Sequence, residues 1–220
     1  MAASEGEVEF GPSSRAGGVM NDSTAVNFVF IRHAQATHNV AAELYGHDAY
    51  MDPAHRDAPL TDEGHLQTSR VRRERGAEFS DKLTPSVIYC SPLKRCRQTL
   101  MNVIPASATW PVRLDDRLME PQSHVCNHRI EKDALLRVCP PAWDLIGVAE
   151  VNPKDAPESI VARIRAFTAD VLARHPGQRV LVVSHFTWIQ NWFRIFKKER
   201  VEPPNCGILQ AVLPAHEKLD

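Results

Sequence analysis

Short apolar runs of strand length recur along the chain, and the segments between them have helical patterning. The runs at 26–31 (VNFVFI), 86–90 (SVIYC) and 179–183 (RVLVV) lack polar alternation, which is typical of strands buried on both faces. Apolar residues recur at helical spacing over 94–104 and 158–175. Strands that alternate with helices predict an α/β fold in three layers, with a mainly parallel central sheet flanked by helices.

Weaker patterns extend this outline. They predict two more helices and two more strands, at 61–79, 187–198, 111–114 and 208–213. Two stretches, 40–60 and 120–157, are mixed, polar and interrupted by proline, so they are predicted to be irregular surface segments.

The chain of 220 residues suits one domain, since a single core is efficient up to about 250 residues. We expect residues 1–25 to form a disordered leader, because they lack the basic and then apolar segments of a signal peptide. The domain is predicted to cover 26–214, with 215–220 as a C-terminal tail. Within the predicted domain, 121–156 are expected to form a lid over the binding site.

The charge balance and the cysteines exclude several classes of function. There are 26 Lys and Arg against 27 Asp and Glu, and this net charge of −1 gives no field for nucleic acid. No apolar run approaches the roughly 20 residues that a membrane-spanning helix needs. Five cysteines, an odd number without a CxxC pair, favour reduced thiols in the cytoplasm and no metal site.

Charged and polar side chains follow three of the predicted strands. Arg32 and His33 come directly after the first run, a loop with Arg95 follows the second, and His185 follows the third. The binding crevice of an open parallel sheet lies beyond the carboxyl ends of its strands. Each pair alone is ordinarily a strand end or a surface pair, but together they predict a cationic site for a phosphate-like dianion.

The full strings at these positions resemble a known family. RHAQATHN, SPLKRCRQT, LME and VLVVSH occur in this order, and the resemblance to the histidine phosphatase superfamily, the phosphoglycerate mutase-like proteins, spans about 26–213. Ala34 replaces the usual glycine, and Ala36 replaces a frequent serine or threonine that touches phosphate. The string RHAQATHN and the segment around Ala58-Pro59-Leu60-Thr61 look similar to phosphatase-like members of fungi and plants.

The resemblance implies a role for each matching residue. His33 would attack phosphorus and become a phosphohistidine, while Arg32, Arg95 and His185 would hold the phosphoryl oxygens. Glu120 would be the general acid and base, because Phe186 stands where the acid-phosphatase and phytase branch carries its aspartate donor.

Four further residues are candidates for substrate binding, namely Gln35, His38, Asn39 and Arg129. Asn39 would add a neutral donor to phosphate. Arg129, like His124 and Cys126, could reach a second polar group of the substrate or could be a solvated loop residue.

The family implies three possible functions. The first is a phosphatase that hydrolyses a small phosphorylated metabolite without a metal or another cofactor. A phosphoglycerate mutase is the second, although residues 121–130 lack the tyrosine-glycine signature of the mutases. The third is a non-catalytic module that binds phosphate or another protein, and the presence of all five core residues argues against it.

Overall fold

A six-stranded, mainly parallel sheet forms the centre of the fold. The computed structural model describes residues 23–80, 82–105, 108–152 and 159–217. The strands are β1 Val26–Arg32, β2 Val87–Cys90, β3 Val112–Asp115, β4 Asp144–Gly147, β5 Arg179–Ser184 and β6 Ile208–Leu213. Their order is β4-β3-β2-β5-β1-β6, and only β6 is antiparallel to its neighbour.

Within the described ranges, six α-helices cover the two faces of this sheet. They are α1 Thr37–Tyr45, α2 Asp62–Ser80, α3 Lys94–Val103, α4 Lys132–Val138, α5 Ser159–Arg174 and α6 Phe186–Phe196. Short 3₁₀ helices cover 47–51, 53–55, 116–118 and 125–127. None of the helices within the described ranges is both long and apolar enough to cross a membrane.

Alternate residues of the strands point into two separate apolar cores. Val29 and Ile31 of β1 pack in the core under α2, α3 and α4, whereas Phe28 and Phe30 pack against α5 and α6. Trp192 of α6 lies between the two phenylalanines, with ring centroids at 5.1 and 4.6 Å. The predicted three-layer α/β architecture is confirmed.

The two stretches expected to be irregular contain regular elements. Residues 40–60 include the last part of α1 and two 3₁₀ helices, and 120–157 include α4 and β4. The start of α1 has no capping hydroxyl, because Ala36 precedes it; the Asn39 side chain accepts from the Ala36 N–H instead, at 3.0 Å. Except for 23–25 and 215–217, the expected leader and tail lie outside the described residues, as do 153–156 of the expected lid.

Candidate active site

The ends of β1 and β5 bring two of the predicted histidines together. Arg32 pairs with Ser184 across the parallel ladder, and the His33 N–H donates to the Ser184 carbonyl at 3.0 Å. The rings of His33 and His185 consequently meet edge to face, with centroids 5.1 Å apart. Two residues more than 150 positions apart in sequence thus become neighbours at one edge of the sheet.

The loop after β2 adds Arg95 to the same place. The Ser91 N–H donates to the carbonyl of Val183, so this loop starts beside the end of β5. Arg95 is wholly buried in the first turn of α3 and donates to the Cys126 carbonyl at 2.9 Å and to Asn127 Oδ1 at 2.8 Å. Its Nε has no hydrogen-bond partner among the described residues.

These residues surround a cavity of about 470 Å³. Six of the predicted site residues line it: Arg32, His33, His38, Asn39, Arg95 and Glu120. His185 lies behind this wall, fully buried, with Nε2 2.8 Å from Ser91 Oγ and 3.5 Å from Cys96 Sγ.

One ring nitrogen of His33 is hydrogen-bonded to the backbone, and the other is available to act as a nucleophile. Its Nδ1 lies 2.8 Å from the carbonyl oxygen of Ala34 and, because a carbonyl can only accept, Nδ1 carries the proton. Burial, followed by the charge of Arg95, lowers the pKa of His33 well below its usual range. The imidazole is therefore neutral near pH 7, with its lone pair on Nε2.

Arg32 reaches the cavity from the end of β1. Its Nη1 donates to the Pro203 carbonyl at 2.9 Å, and its guanidinium lies 5.1 Å from the centroid of the Phe186 ring. Its Nε, like that of Arg95, is buried without a partner among the described residues. Two arginines with an unused donor each suit an anion with several oxygens.

Glu120 lies at the amino end of α6. Its two carboxylate oxygens accept from the backbone N–H groups of Thr187, at 3.0 Å, and Trp188, at 3.2 Å. Burial raises the pKa of Glu120 above its usual value, although these hydrogen bonds and Arg95 act in the other direction. The carboxyl group thus has the environment that a proton donor requires.

His38 and Asn39 form the side of the cavity next to His33. The Asn39 amide N–H donates to His38 Nε2 at 3.3 Å. Because an amide N–H can only donate, this ring nitrogen accepts and carries no proton. Burial, followed by the charge of Arg95, lowers the pKa of His38 to about 2. The His38 ring is therefore a neutral member of the site, with its centroid 5.8 Å from that of His33.

Two candidates for substrate binding do not line the cavity, and both have other partners. Gln35 Oε1 accepts from the Thr61 hydroxyl at 2.7 Å, which ties the loop after β1 to the start of α2. Arg129 is fully buried and forms an ion pair with Asp116 at 2.7 Å, with further donations to backbone carbonyls such as that of Ala149. Both side chains therefore bind other residues of the protein, in place of the predicted contact with substrate.

Further residues line the cavity, among them His124 and Cys126, which the sequence left open as contacts to a second polar group of the substrate. His47 is exposed and lines the mouth of the cavity together with Tyr50 and His124. Tyr50 had no signal in the sequence, because it belongs to no motif and lies in a polar stretch. Within the described ranges, no three His, Cys, Asp or Glu side chains are grouped so as to hold a metal ion.

Comparison with known proteins identifies the family of this chain. The model of the histidine phosphatase superfamily (branch 1) matches residues 28–207. The 5''-phosphoribostamycin phosphatase of Niallia circulans is 38% identical over 95 residues, which are 43% of this chain and 41% of that protein. Phosphoserine phosphatase 1 of Hydrogenobacter thermophilus is 25% identical over 163 residues, or 73% of this chain and 71% of that protein. This chain thus matches less than half the length of the first relative.

Solved structures share the fold. Bacillus stearothermophilus YhfR has a TM-score of 0.57 at 19% identity, covering 84% of this chain and 90% of that one. The ecdysone phosphate phosphatase of Bombix mori in complex with tungstate has a TM-score of 0.56 at 13% identity, covering 84% and 88%. The similarity to members of fungi and plants stays a prediction. Since the family model covers most of the chain, the protein belongs to the histidine phosphatase superfamily, branch 1.

Proposed function

We propose that the protein is a phosphatase that hydrolyses a small phosphorylated metabolite through a covalent phosphohistidine on His33. The observation that carries this proposal is the state of the His33 ring. It is neutral, its Nδ1–H is held by a backbone carbonyl, and Arg32 and Arg95 line the same cavity. A neutral imidazole beside two fixed cations suits attack on a phosphate dianion.

The first step forms the P–N bond and breaks the ester P–O bond. His33 Nε2 attacks phosphorus in line, the two guanidinium groups stabilise the charge on the phosphoryl oxygens, and Glu120 gives its proton to the departing alcohol oxygen. In the second step the Glu120 carboxylate takes a proton from water. That water attacks the phosphohistidine, the P–N bond breaks, and inorganic phosphate leaves.

The resemblance implies that His185 holds a phosphoryl oxygen, but His185 does not line the cavity, so a positioning role suits it better in this scheme. Its Nε2 shares a hydrogen bond with Ser91, and its ring packs against that of His33. Asn39, which lines the cavity, is a candidate for a neutral contact to a phosphoryl oxygen.

The test is phosphate release from a panel of monoesters by the wild type and by His33→Ala. We expect turnover by the wild type alone, without a bisphosphate primer, and an acid-labile phosphate on the wild-type chain after quenching at short times. The matched control is His65→Ala, which replaces an exposed histidine on α2. Equal phosphate release by wild type and His33→Ala would contradict the proposal, and primer-dependent isomerisation of phosphoglycerate would indicate a mutase instead.

A further inference from the structure

We call the part of the cavity at Arg32, His33 and Arg95 its phosphoryl end. Beyond it, several rings line the wall of the cavity. His47, Tyr50 and His124 meet at its mouth, with centroids 4.8, 5.1 and 5.5 Å apart. Tyr50 also meets His38 at 5.6 Å, and His38 is the neighbour of His33. A continuous series of ring contacts therefore leads from the proposed nucleophile to the rim.

The three rings at the mouth, which we call the ring cluster (His47, Tyr50 and His124), come from two segments of the chain. His47 and Tyr50 belong to the 3₁₀ helix at 47–51, and His124 directly precedes the one at 125–127. Their planes are inclined at 61 to 87°, which is the edge-to-face arrangement that aromatic rings favour. Since all three are at least partly exposed, ring surface remains free for a ligand.

The charges of the lining are confined to the phosphoryl end. Among the described residues that line this cavity, Arg32 and Arg95 are the only lysines or arginines, and Glu120 is the only carboxylate. Burial, followed by the charge of His47, lowers the pKa of His124, which favours a neutral ring. Beyond Arg32, Arg95 and Glu120, a carboxylate or an amine on the leaving group would therefore meet no permanent opposite charge in the described lining.

We propose that the ring cluster determines specificity, selecting phosphate esters whose leaving group is an uncharged alcohol that carries a planar aromatic or heteroaromatic ring. This inference rests on the phosphatase activity proposed above and names its substrate class. The substrate ring packs on the faces of Tyr50 and His124 while the phosphoryl group lies between the arginines. Serine, the leaving group that the name of the Hydrogenobacter thermophilus relative implies, has no such ring.

An adjoining cleft offers a binding place for a different class of leaving group, one that carries an amine, and the test must distinguish the two classes. It shares Arg32, Asn39, His47 and Tyr50 with the cavity and adds the exposed carboxylate of Glu43. An ester with an amine on its leaving group could use that carboxylate, so a cationic ester belongs in the comparison.

The experiment compares four esters of primary alcohols, so that differences in leaving-group reactivity stay small. They are 2-phenylethyl phosphate, 2-cyclohexylethyl phosphate, 3-phosphooxypropanoate and 3-aminopropyl phosphate. We expect kcat/KM at neutral pH to be roughly 3- to 10-fold higher for the phenyl than for the cyclohexyl ester. The advantage over the two charged esters should be on the order of 30-fold. Equal values for the two ring esters, or a charged ester as the best substrate, would overturn the inference.

Variants at Tyr50 test whether the preference arises in the ring cluster. Tyr50→Phe should keep the phenyl-to-cyclohexyl ratio, and Tyr50→Leu should reduce it to near one. The matched control is Tyr45→Leu, because Tyr45 is 79% exposed at the end of α1 and does not line the cavity. If Tyr50→Leu retains the full ratio, the ring cluster is not its source.

Binding of non-hydrolysable analogues separates this inference from the proposed activity. Calorimetry with 3-phenylpropylphosphonate and 3-cyclohexylpropylphosphonate should show tighter binding of the phenyl compound. If this preference occurs but no ester is turned over, the phosphatase proposal fails and the ring preference stands. If esters are hydrolysed without any ring preference, the inference fails and the phosphatase proposal stands.

Discussion

At His33, one backbone hydrogen bond determines which ring nitrogen is available. The acceptor is the carbonyl of Ala34, and the Ala34 N–H in turn donates to Thr99 Oγ1 at 3.0 Å. The methyl group of Ala34 is fully buried in the core beside the sheet. An alanine in place of the family's usual glycine is thus accommodated without disturbing the loop that orients His33.

Single residues of the site differ in how well the sequence predicts them. Clear apolar runs precede Arg32, His33 and Arg95. Because the binding crevice of an open parallel sheet lies beyond the carboxyl ends of its strands, the strand pattern is enough to predict that these residues lie together. Glu120 depends on the resemblance, because nothing in its local sequence shows that it will be buried against α6. Tyr50 could not be predicted, since its place depends on a short 3₁₀ helix that has no clear pattern in the sequence.

The removal of the proposed proton donor should affect substrates according to their leaving group. We expect Glu120→Gln to lower kcat/KM for an alkyl ester by about 10²- to 10⁴-fold. For 4-nitrophenyl phosphate, whose leaving oxygen needs little protonation, the loss should be less than about tenfold. Steady-state assays of both substrates measure this, with Glu63→Gln on the exposed face of α2 as the control. Equal losses on both esters would exclude Glu120 from the acid role.

The pH dependence of the same assay has a defined sign. Because the acid must be protonated in the first step and burial raises its pKa, wild-type activity on alkyl esters should persist above the usual titration range of a glutamate and fall at higher pH. In Glu120→Gln this decline should disappear. The lowered pKa of His33 keeps the nucleophile neutral below pH 6.5, so activity should extend into mildly acidic solution.

Among the helices and strands, the strength of the hydrophobic pattern in the sequence decided which elements could be predicted. β1, β2 and β5 are central and mainly apolar, and their positions agree with the sequence to within one residue. β4 could not be predicted, because this edge strand buries only Leu145 fully and begins with a charged residue. The start of α1 was missed because its cap is a side chain three residues inside the helix, not one before it.

The contact between α2 and the loop after β1 should be sensitive to one added methyl group. A Cβ on Gly64 would collide with the carbonyl oxygen of Gln35. We expect Gly64→Ala to lower the free energy of unfolding by about 1–3 kcal/mol, although alanine is the better helix former. It should also reduce kcat/KM for all esters by a similar factor, since the displaced loop carries His33. Denaturant titration and the phosphate assay measure the two effects.

A second glycine of the same helix provides the control. An added Cβ on Gly76 has its nearest neighbour at 3.9 Å, an ordinary contact. Gly76→Ala should therefore stabilise the protein by about 0.5–1 kcal/mol and leave activity unchanged. A loss of stability in both variants would show that close approach at Gln35 is not the cause.

For the whole molecule, the buried histidines make folding sensitive to acid. His33, His38 and His185 have lowered pKa values in the folded state, chiefly through burial, whereas an unfolded chain takes up these protons below about pH 6.5. The free energy of unfolding should therefore fall as pH decreases from 6.5 to 5. Glu120 and Asp57, whose pKa values are raised by burial, contribute with the opposite sign.

One variant tests how much the protonation of a single histidine contributes to the pH dependence of the free energy of unfolding. His38→Gln should make the decline between pH 6.5 and 5 shallower by up to about 1.4 kcal/mol per pH unit, the value for one proton. Denaturant titrations at pH 7, 6 and 5 measure the slope. His65→Gln is the control, because that ring is exposed to water in both states. An unchanged slope in His38→Gln would show that His38 does not remain neutral in the folded protein.

The position of β1 between β5 and β6 has a consequence for biosynthesis. The strand that ends in Arg32 is made before both of its neighbours, and the carbonyl of His33 accepts from Cys206 and Asn205, which also come later in the chain. Such distant pairing is slow to form and leaves an unsatisfied strand edge until the partners exist. A nascent chain that still lacks these partners therefore has no assembled candidate site, and a chaperone that shields this strand would favour a good yield of correctly folded protein.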